Sequence, residues 1–598
     1  MTCPFRHVWI PACLAAVIAG CRESSTPDAK PTPLRNSSST PNPEHDAAIG
    51  STGSSSLVSP AKTDRAPRPD DWFEDVTLRS GVRFTVNNGR DAQRKFMIEG
   101  LGGGGVAMVD YDSDGDIDLL FTGGGTISPG ESLEMHGQPP GLFRNAGGWQ
   151  FDDVSHLACL TGPLDYSQGC SVTDFNVDGF PDLLVCCFGA SRLFANQGDG
   201  SYADAGEVLP LPPETWSTGA AWGDIDRDGL PDLFLLSYAD WTPATNMLCY
   251  SPDGIPDVCS PRLYTGTRSH FFHNQGDGRF EETSEQMGLV GNCFGLGVLA
   301  ADINADGWID FFIGSDSTPN QLYLGGPAVR FTEAATEAGV ATGVNGQSQG
   351  SMGVDAGDYD GDGLIDLWVV NFDKEDASLY RNLGGGTFEY STFPAGLAGH
   401  KRMRSGFGTS LCDFDGDGWL DIFIFNGNPL YEIAASPWKQ SSQLFRNARG
   451  RRFQNITASG GPFFEESFSG RGSATGDLDD DGAPDLAAAP LNDPVRLLRN
   501  RQSPNNFVSV ELRARRGEPD ATGARLSMEF SGRSLVRFVV RGAGYFSQSD
   551  PRILFPLSAQ TQVADILVEW PGRGRERFRG LAARDRHRLI EGRGEEAP

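Results

Sequence analysis

Short apolar runs bounded by glycine and aspartate punctuate most of the chain: Leu119-Leu120-Phe121, Leu183-Leu184-Val185, Leu233-Phe234-Leu235-Leu236 and Ile422-Phe423-Ile424-Phe425 are examples. Runs of this length predict buried strands, because a helix of equal burial needs a longer amphipathic stretch. Before each run lies a polar nine-residue loop, Asp-x-[Asp/Asn]-x-Asp-Gly-x-x-Asp, and it occurs seven times. Five residues before every loop stands a glycine (Gly105, Gly169, Gly219, Gly297, Gly353, Gly408, Gly472), followed by small and apolar residues. The loops are therefore expected to join strand to strand.

A second signature follows in six of the seven units: Leu142-Phe-Arg-Asn145, Leu193-Phe-Ala-Asn196, Phe271-Phe-His-Asn274, Leu379-Tyr-Arg-Asn382, Leu444-Phe-Arg-Asn447 and Leu497-Leu-Arg-Asn500. The fourth copy ends instead in Gly325. Five of the six lead through a turn to an aromatic residue, the pattern of a β-hairpin. Units of 50 to 78 residues with about four strands each predict an all-β fold, a seven-bladed β-propeller. The segment 73–77 resembles 151–155 and 453–457 but has no acidic loop before it. It is expected to complete the unit built on Asp477, closing the ring and hiding both sheet edges.

Oxygens at loop positions 1, 3, 5 and 9 suit a hard cation, and position 6 turns too sharply for most residues other than glycine. The candidate ligands are Asp110, Asp112, Asp114 and Asp118 in the first loop, and Asp174, Asn176, Asp178 and Asp182 in the second. The third and fourth supply Asp224, Asp226, Asp228, Asp232, then Asp302, Asn304, Asp306 and Asp310. The fifth and sixth supply Asp358, Asp360, Asp362, Asp366, then Asp413, Asp415, Asp417 and Asp421. The last has Asp477, Asp479, Asp481 and Asp485. Calcium, up to seven ions, is the expected metal, since it accepts six to eight oxygens in flexible geometry. An EF-hand would need Glu at position 12, where this chain has residues such as Phe121, Val185 and Ile313.

The repeats, with Gly103-Gly-Gly-Val-Ala-Met-Val-Asp110, Asp316-Ser-Thr-Pro-Asn320, Ser351-Met-Gly-Val354 and Asn371, resemble bacterial proteins with FG-GAP (VCBS-type) repeats followed by an ASPIC/UnbV domain. They are similar to the cartilage acidic protein family of animals. Near the C-terminus Thr522-Gly-Ala-Arg525, Gly544-Tyr-Phe-Ser-Gln-Ser549 and Val568-Glu-Trp-Pro-Gly572 carry the same resemblance; Phe555-Pro-Leu-Ser558 departs from the family's Phe-Gly-Leu-Gly. The resemblance implies calcium-bound propellers outside the cytoplasm, tied to adhesion or recognition.

The first residues read as a lipoprotein signal peptide: a basic start at Arg6, an apolar stretch over 8–20, and Ile18-Ala-Gly-Cys21 as a lipobox with Cys21 lipidated. Residues 22–71 are rich in Ser and Pro and cannot bury a core, the composition of a tether. The expected division is 1–21 signal peptide, 22–71 tether, 72–504 propeller and 505–598 a small β-rich ASPIC/UnbV-like domain. The protein is expected to be exported and lipid-anchored to a bacterial membrane, periplasmic or at the cell surface. Cys249 and Cys259 are a possible disulfide pinning the insertion 240–262, with Cys159 and Cys170 a weaker pair.

The net charge of −30 is uneven. From Arg501 onward 17 Arg face 12 Asp and Glu, a surplus of 5 that leaves −35 for the remainder. Such an acidic surface excludes nucleic acid as a partner. The Arg-rich end is expected to be a solvated face, with packing on the acidic ring as the other reading. His270 and His273 read as alternating hairpin positions, not metal ligands. Ser348, in Gly346-Gln-Ser348-Gln-Gly350, lacks the strand-turn-helix setting of a nucleophile elbow. The leading function is a membrane-anchored recognition or adhesion module for a protein or glycan. The alternative is a polysaccharide-active enzyme, for which ionisable groups converging on the ring axis would speak; Asp316, Asn371 and Asp373 are its candidates. Trp216, Trp222, Trp241, Trp308 and Trp419 are read as core before sugar-stacking surfaces.

Overall fold

A computed structural model describes residues 68–90, 95–128, 134–205, 209–276, 278–400, 403–432, 436–504 and 506–597. The signal peptide, Cys21 and almost all of the proposed tether lie outside the described residues. Among those described, no helix is long and apolar enough to cross a membrane.

The apolar runs form strands, and their alternation of fully buried positions on both faces explains why they read as continuous rather than alternating. Seven sheets of four antiparallel strands are built from them, each running from an inner strand outward. Blade 1 consists of Val106–Val109, Asp118–Phe121, Gly141–Asn145 and Phe151–Asp153. The inner strands of successive blades touch one another, and the last, Ser473–Gly476, touches the first, so the array closes into a ring. Blade 7 is completed by Phe73–Asp75, which pairs antiparallel with Arg496–Asn500 in the register Phe73 to Asn500. This is the closure expected from the sequence, although the strand is shorter than 73–77 because a helical turn begins at Thr77.

The glycines before the loops lie on the inner strands, or immediately before them at Gly105 and Gly472, where neighbouring blades converge. A Cβ at Gly353 would stand 2.1 Å from the Phe407 carbonyl of the next blade, and one at Gly472 2.1 Å from the Gly104 carbonyl. Adjacent Cys186 and Cys187 point to opposite faces as expected for a strand. Both are nevertheless fully buried, since both faces of a blade are covered by its neighbours.

After Asn500 the chain forms two further sheets. Asn506–Arg513 pairs antiparallel with Ile553–Leu557 and parallel with Asp585–Ile590. Arg533–Phe538, Arg525–Phe530, Val563–Glu569, Arg575–Ala582 and Glu595–Ala597 form the second. Val508, Val510, Leu526, Phe555, Ile566 and Val568 are in the core of this unit.

Between its strands the C-terminal unit sends residues 541–550 down the ring axis. Arg541–Gly542 adds to the inner edge of blade 4. The Ala543 amide donates to Val298 O at 2.8 Å, Gly544 to Val354 O at 2.6 Å, Gln548 to Val106 O at 2.8 Å and Asp550 to Thr475 O at 3.0 Å, while Phe546 O accepts from Cys170 N at 3.1 Å. One strap thus bonds to the inner strands of blades 1, 2, 4, 5 and 7. Tyr545 and Phe546 are buried with Tyr166, Trp216, Tyr238 and Phe407. The solvated-face reading of the Arg-rich end is therefore corrected. Arg537 pairs with Asp413 at 3.3 Å, Arg552 with Asp480 at 3.0 Å and Arg586 with Asp116 at 3.3 Å, because the acidic loops supply the counter-charge.

Candidate metal centres

Each acidic loop links an inner strand to the next one out, and its backbone is held by its own carboxylates. The position-1 aspartate accepts from the position-6 glycine amide in all seven: 3.0 Å for Asp110 and Gly115, 2.9 Å for Asp358 and Gly363, 2.9 Å for Asp477 and Gly482. These seven glycines have φ between 85° and 98°, in the left-handed region, where a side chain would be strained. The position-9 aspartate is buried and accepts twice. Asp118 takes the Tyr111 amide at 3.1 Å and the Asn145 amide at 2.7 Å, tying the loop to the hairpin of its own blade.

The carboxylate oxygens converge. Those of Asp110, Asp112 and Asp118 lie within 4.8 Å of one another, as do those of Asp224, Asp226 and Asp228, of Asp358, Asp360 and Asp366, and of Asp413, Asp415 and Asp421. In the loops of Asp174 and Asp302 the amide side chains of Asn176 and Asn304 donate to Asp178 at 2.9 Å and to Asp306 at 3.0 Å. Buried Oδ1 atoms of Asp110, Asp112 and Asp479 have no hydrogen-bond partner. A buried carboxylate oxygen left unpaired is costly, and a hard cation is the partner that this donor set fits.

The electrostatics agree. Burial, then the charges of Asp114 and Asp112, raise Asp110 to about 6. Burial pushes Asp118 up to about 8 and Asp366 to about 9, despite the amides that each accepts. Asp224 rises to about 7 through burial and the charge of Asp232. Negative charge is thus packed more densely than protein donors offset, and a divalent ion would supply the balance.

Two parts of the loop environment were missed in the sequence. The Arg of the hairpin signature turns back onto positions 3 and 5 in three blades: Arg446 contacts Asp415 at 2.6 Å and Asp417 at 2.9 Å, Arg499 contacts Asp479 at 2.9 Å and Asp481 at 3.1 Å, and Arg381 bridges Asp360 and Asp362. Arg144 pairs with Asp152 instead. In blade 3 the same place holds His273, whose Nδ1 lies 3.0 Å from Asp232 and 3.8 Å from Asp226. The reading of His273 as a simple hairpin position is corrected: it joins the acidic group, and its bond to Asp232 raises it to about 9. Recurrence of Arg or His before the Asn in five of the six signatures, all but Ala195, was the available signal.

That Asn is an inter-blade staple. Asn447 Nδ2 donates to Leu420 O of its own loop at 3.0 Å and to Tyr359 O of the preceding blade at 2.9 Å. Asn145, Asn196, Asn274, Asn382 and Asn500 repeat the pattern, and Asn145 reaches Leu478 O, across the ring closure, at 2.9 Å.

Of the remaining candidates, Cys249 and Cys259 are disulfide-bonded, whereas Cys159 and Cys170 are both free thiols. Cys159 is exposed and Cys170 buried, so that weaker pairing is corrected. Asp316 accepts from Tyr238 at 2.7 Å, and Asn371 is bonded to Ser351, Ser378 and the Asp376 carbonyl. Ser348 sits in a loop that enters the strand Ser351–Gly357, with no helix after it. Trp216, Trp222 and Trp241 are core; Trp308 and Trp419 lie under the guanidinium groups of Arg227 and Arg533.

An FG-GAP-like repeat model matches residues 174–235, 250–313, 302–369 and 358–424, and an ASPIC and UnbV model matches 514–596. Human cartilage acidic protein 1 is 27% identical over 320 residues, covering 52% of this chain and 46% of that protein. Integrin alpha-3 of Cricetulus griseus is 28% identical over 209 residues, 31% of this chain and 20% of that protein. The chain thus spans about half or less of the length of the curated relatives it matches. Among solved structures, an Agrocybe aegerita lectin that recognises non-reducing terminal N-acetylglucosamine aligns with TM-score 0.37 and 14% identity, over 65% of this chain and 86% of that one. The chain therefore carries FG-GAP-like repeats followed by an ASPIC and UnbV domain, and is similar at low identity to cartilage acidic protein 1.

Proposed function

We propose that the protein is a calcium-braced recognition module, exported and held to a bacterial membrane through a lipid on Cys21, which binds a protein or glycan partner. The carrying observation is the set of converging carboxylates with unpaired buried oxygens at Asp110, Asp112 and Asp479. Up to seven calcium ions would relieve the repulsion in the loops and fix the strands that they join. The likeness to integrin alpha-3 over part of the chain supports an extracellular recognition role.

The antiparallel blades put the acidic loops at one end, under the C-terminal unit, and the insertion 240–262 and the helix Met97–Leu101 at the other. That second face carries exposed Leu248 and Tyr250 on a disulfide-pinned hairpin, and it is the face available to a macromolecular partner. An enzyme of the polysaccharide-active kind would need an open axial site, and here the axis is filled by residues 541–550. Calorimetric unfolding with millimolar calcium and with chelator tests the reading. A loss of stability on chelation, restored by calcium and poorly by magnesium, is expected; an unmoved transition would refute the calcium brace.

A further inference from the structure

Two cavities flank the axial strap where the C-terminal unit meets the ring. The one over blades 5 to 7, about 200 Å3, is lined by five carboxylates (Asp355, Asp358, Asp413, Asp477, Asp550) against three arginines. The one over blades 1 and 2, about 230 Å3, has the opposite balance. Arg513, Arg541, Arg552, Arg586 and Arg588 line it against Asp110, Asp174, Glu511 and Asp520.

Most of these arginines are spent on their neighbours: Arg513 on Glu511 at 3.0 Å, Arg588 on Glu511 at 2.8 Å, Arg552 on Asp550 at 2.7 Å. Arg541 is different. It is 6% exposed, its Nη2 meets Asp520 at 3.3 Å, and its Nε–H has no partner. On the same cavity wall Ser509 is 2% exposed and its hydroxyl also lacks a partner. Two buried donors left unpaired beside a space of this size amount to a considerable cost unless something accepts from them.

We propose that this cavity binds a small oxyanion, a phosphate, sulfate or carboxylate group carried on a molecule up to saccharide size, with Arg541 Nε and Ser509 Oγ as its buried donors. Arg552 and Arg586 add positive potential, and they are held in place by Asp480 of blade 7 at 3.0 and 3.6 Å. The ligand would bridge ring and C-terminal unit, since the cavity wall is shared by Val172 and Thr173 on one side and Ser509 and Leu512 on the other. The donors belong to the C-terminal unit and the strap, so the inference goes beyond the calcium reading and does not rest on it.

The test is isothermal titration of the full chain, in calcium buffer, with inorganic phosphate, inorganic sulfate and glucuronate as separate probes. Saturable binding of at least one is expected, weakened about tenfold by Ser509→Ala and more by Arg541→Gln, as losing a hydrogen bond to a charged group predicts. Arg579→Gln, on the outer surface, should leave it unchanged. Ser509→Ala removes one hydroxyl and keeps the decision open should Arg541→Gln not fold. Absence of saturable binding by all three probes at millimolar concentration, or binding indifferent to Ser509→Ala, overturns the proposal.

Discussion

The inter-blade staple makes a sharp prediction at Asn447. Its side chain is buried, donates to Tyr359 O and Leu420 O, and accepts from the Gly450 amide at 2.8 Å. Asn447→Ala deletes all three bonds and leaves two buried carbonyls unpaired. At about 1 kcal/mol net for each bond, the loss is about 3 kcal/mol, well above the typical effect of a surface substitution. Asn447→Asp keeps the acceptor for Gly450 but sets a carboxylate oxygen against two carbonyls, so it should cost more than alanine. Urea unfolding, followed by tryptophan fluorescence in saturating calcium, gives the comparison. An Asn447→Ala variant within 0.5 kcal/mol of the parent, on the order of the surface-substitution scatter, would refute the staple argument, as would an aspartate variant more stable than the alanine one. Blade 4 is the natural exception. A Cβ at Gly325 would lie 2.2 Å from the Ile309 carbonyl, so that blade has no room for the residue used by the other six.

The loop carboxyls also set a pH dependence. Folded-state values near 8 for Asp118 and 9 for Asp366 lie above the unfolded value near 4. The folded metal-free chain then holds protons that the unfolded chain releases, so its stability should fall as pH rises from 5 toward 9. Melting midpoints in chelator should decline over that range and stay level in calcium; parallel curves would contradict the electrostatic account. Deleting residues 73–77 should destabilise the whole ring, because blade 7 loses its outer strand, and an unchanged melting transition would rule out the closure. Gly353→Ala should cost about 3 kcal/mol by overpacking against the Phe407 backbone. Gly574→Ala, with open space around its Cβ position, should be close to neutral in the same urea assay.

Strand positions, the repeat unit and the closing strand could be read because burial on both blade faces writes continuous apolar runs, and the loops recur at fixed offsets from them. The acidic loops were legible for the same reason: ligand spacing is local in sequence. What joins distant segments was not. His273 lies 41 residues beyond Asp232, and its role depends on hairpin register, not spacing. The Asn staples pair residues 79 to 333 positions apart, which no local pattern encodes. Gly544-Tyr-Phe-Ser-Gln-Ser549 stood out as a motif, yet nothing in it says that Tyr545 and Phe546 belong to the core of another domain.

The axial strap also dictates an order of assembly. The ring needs its earliest strand, Phe73–Asp75, to meet Arg496–Asn500, and its centre is filled only by residues 541–550. Nearly the whole polypeptide must therefore emerge before the last blade can seal and the channel can fill. Contacts of such long sequence separation fold slowly and leave unpaired edges exposed in the meantime. A chain released short of its last forty residues would already carry the strap but lack Val563–Glu569, Arg575–Ala582 and Asp585–Ile590, and with them Ile566, Val568 and Phe578 of the C-terminal core. Such fragments should be poor at reaching a closed ring and good substrates for proteolysis, so truncation at the C-terminal end should be felt by the whole propeller.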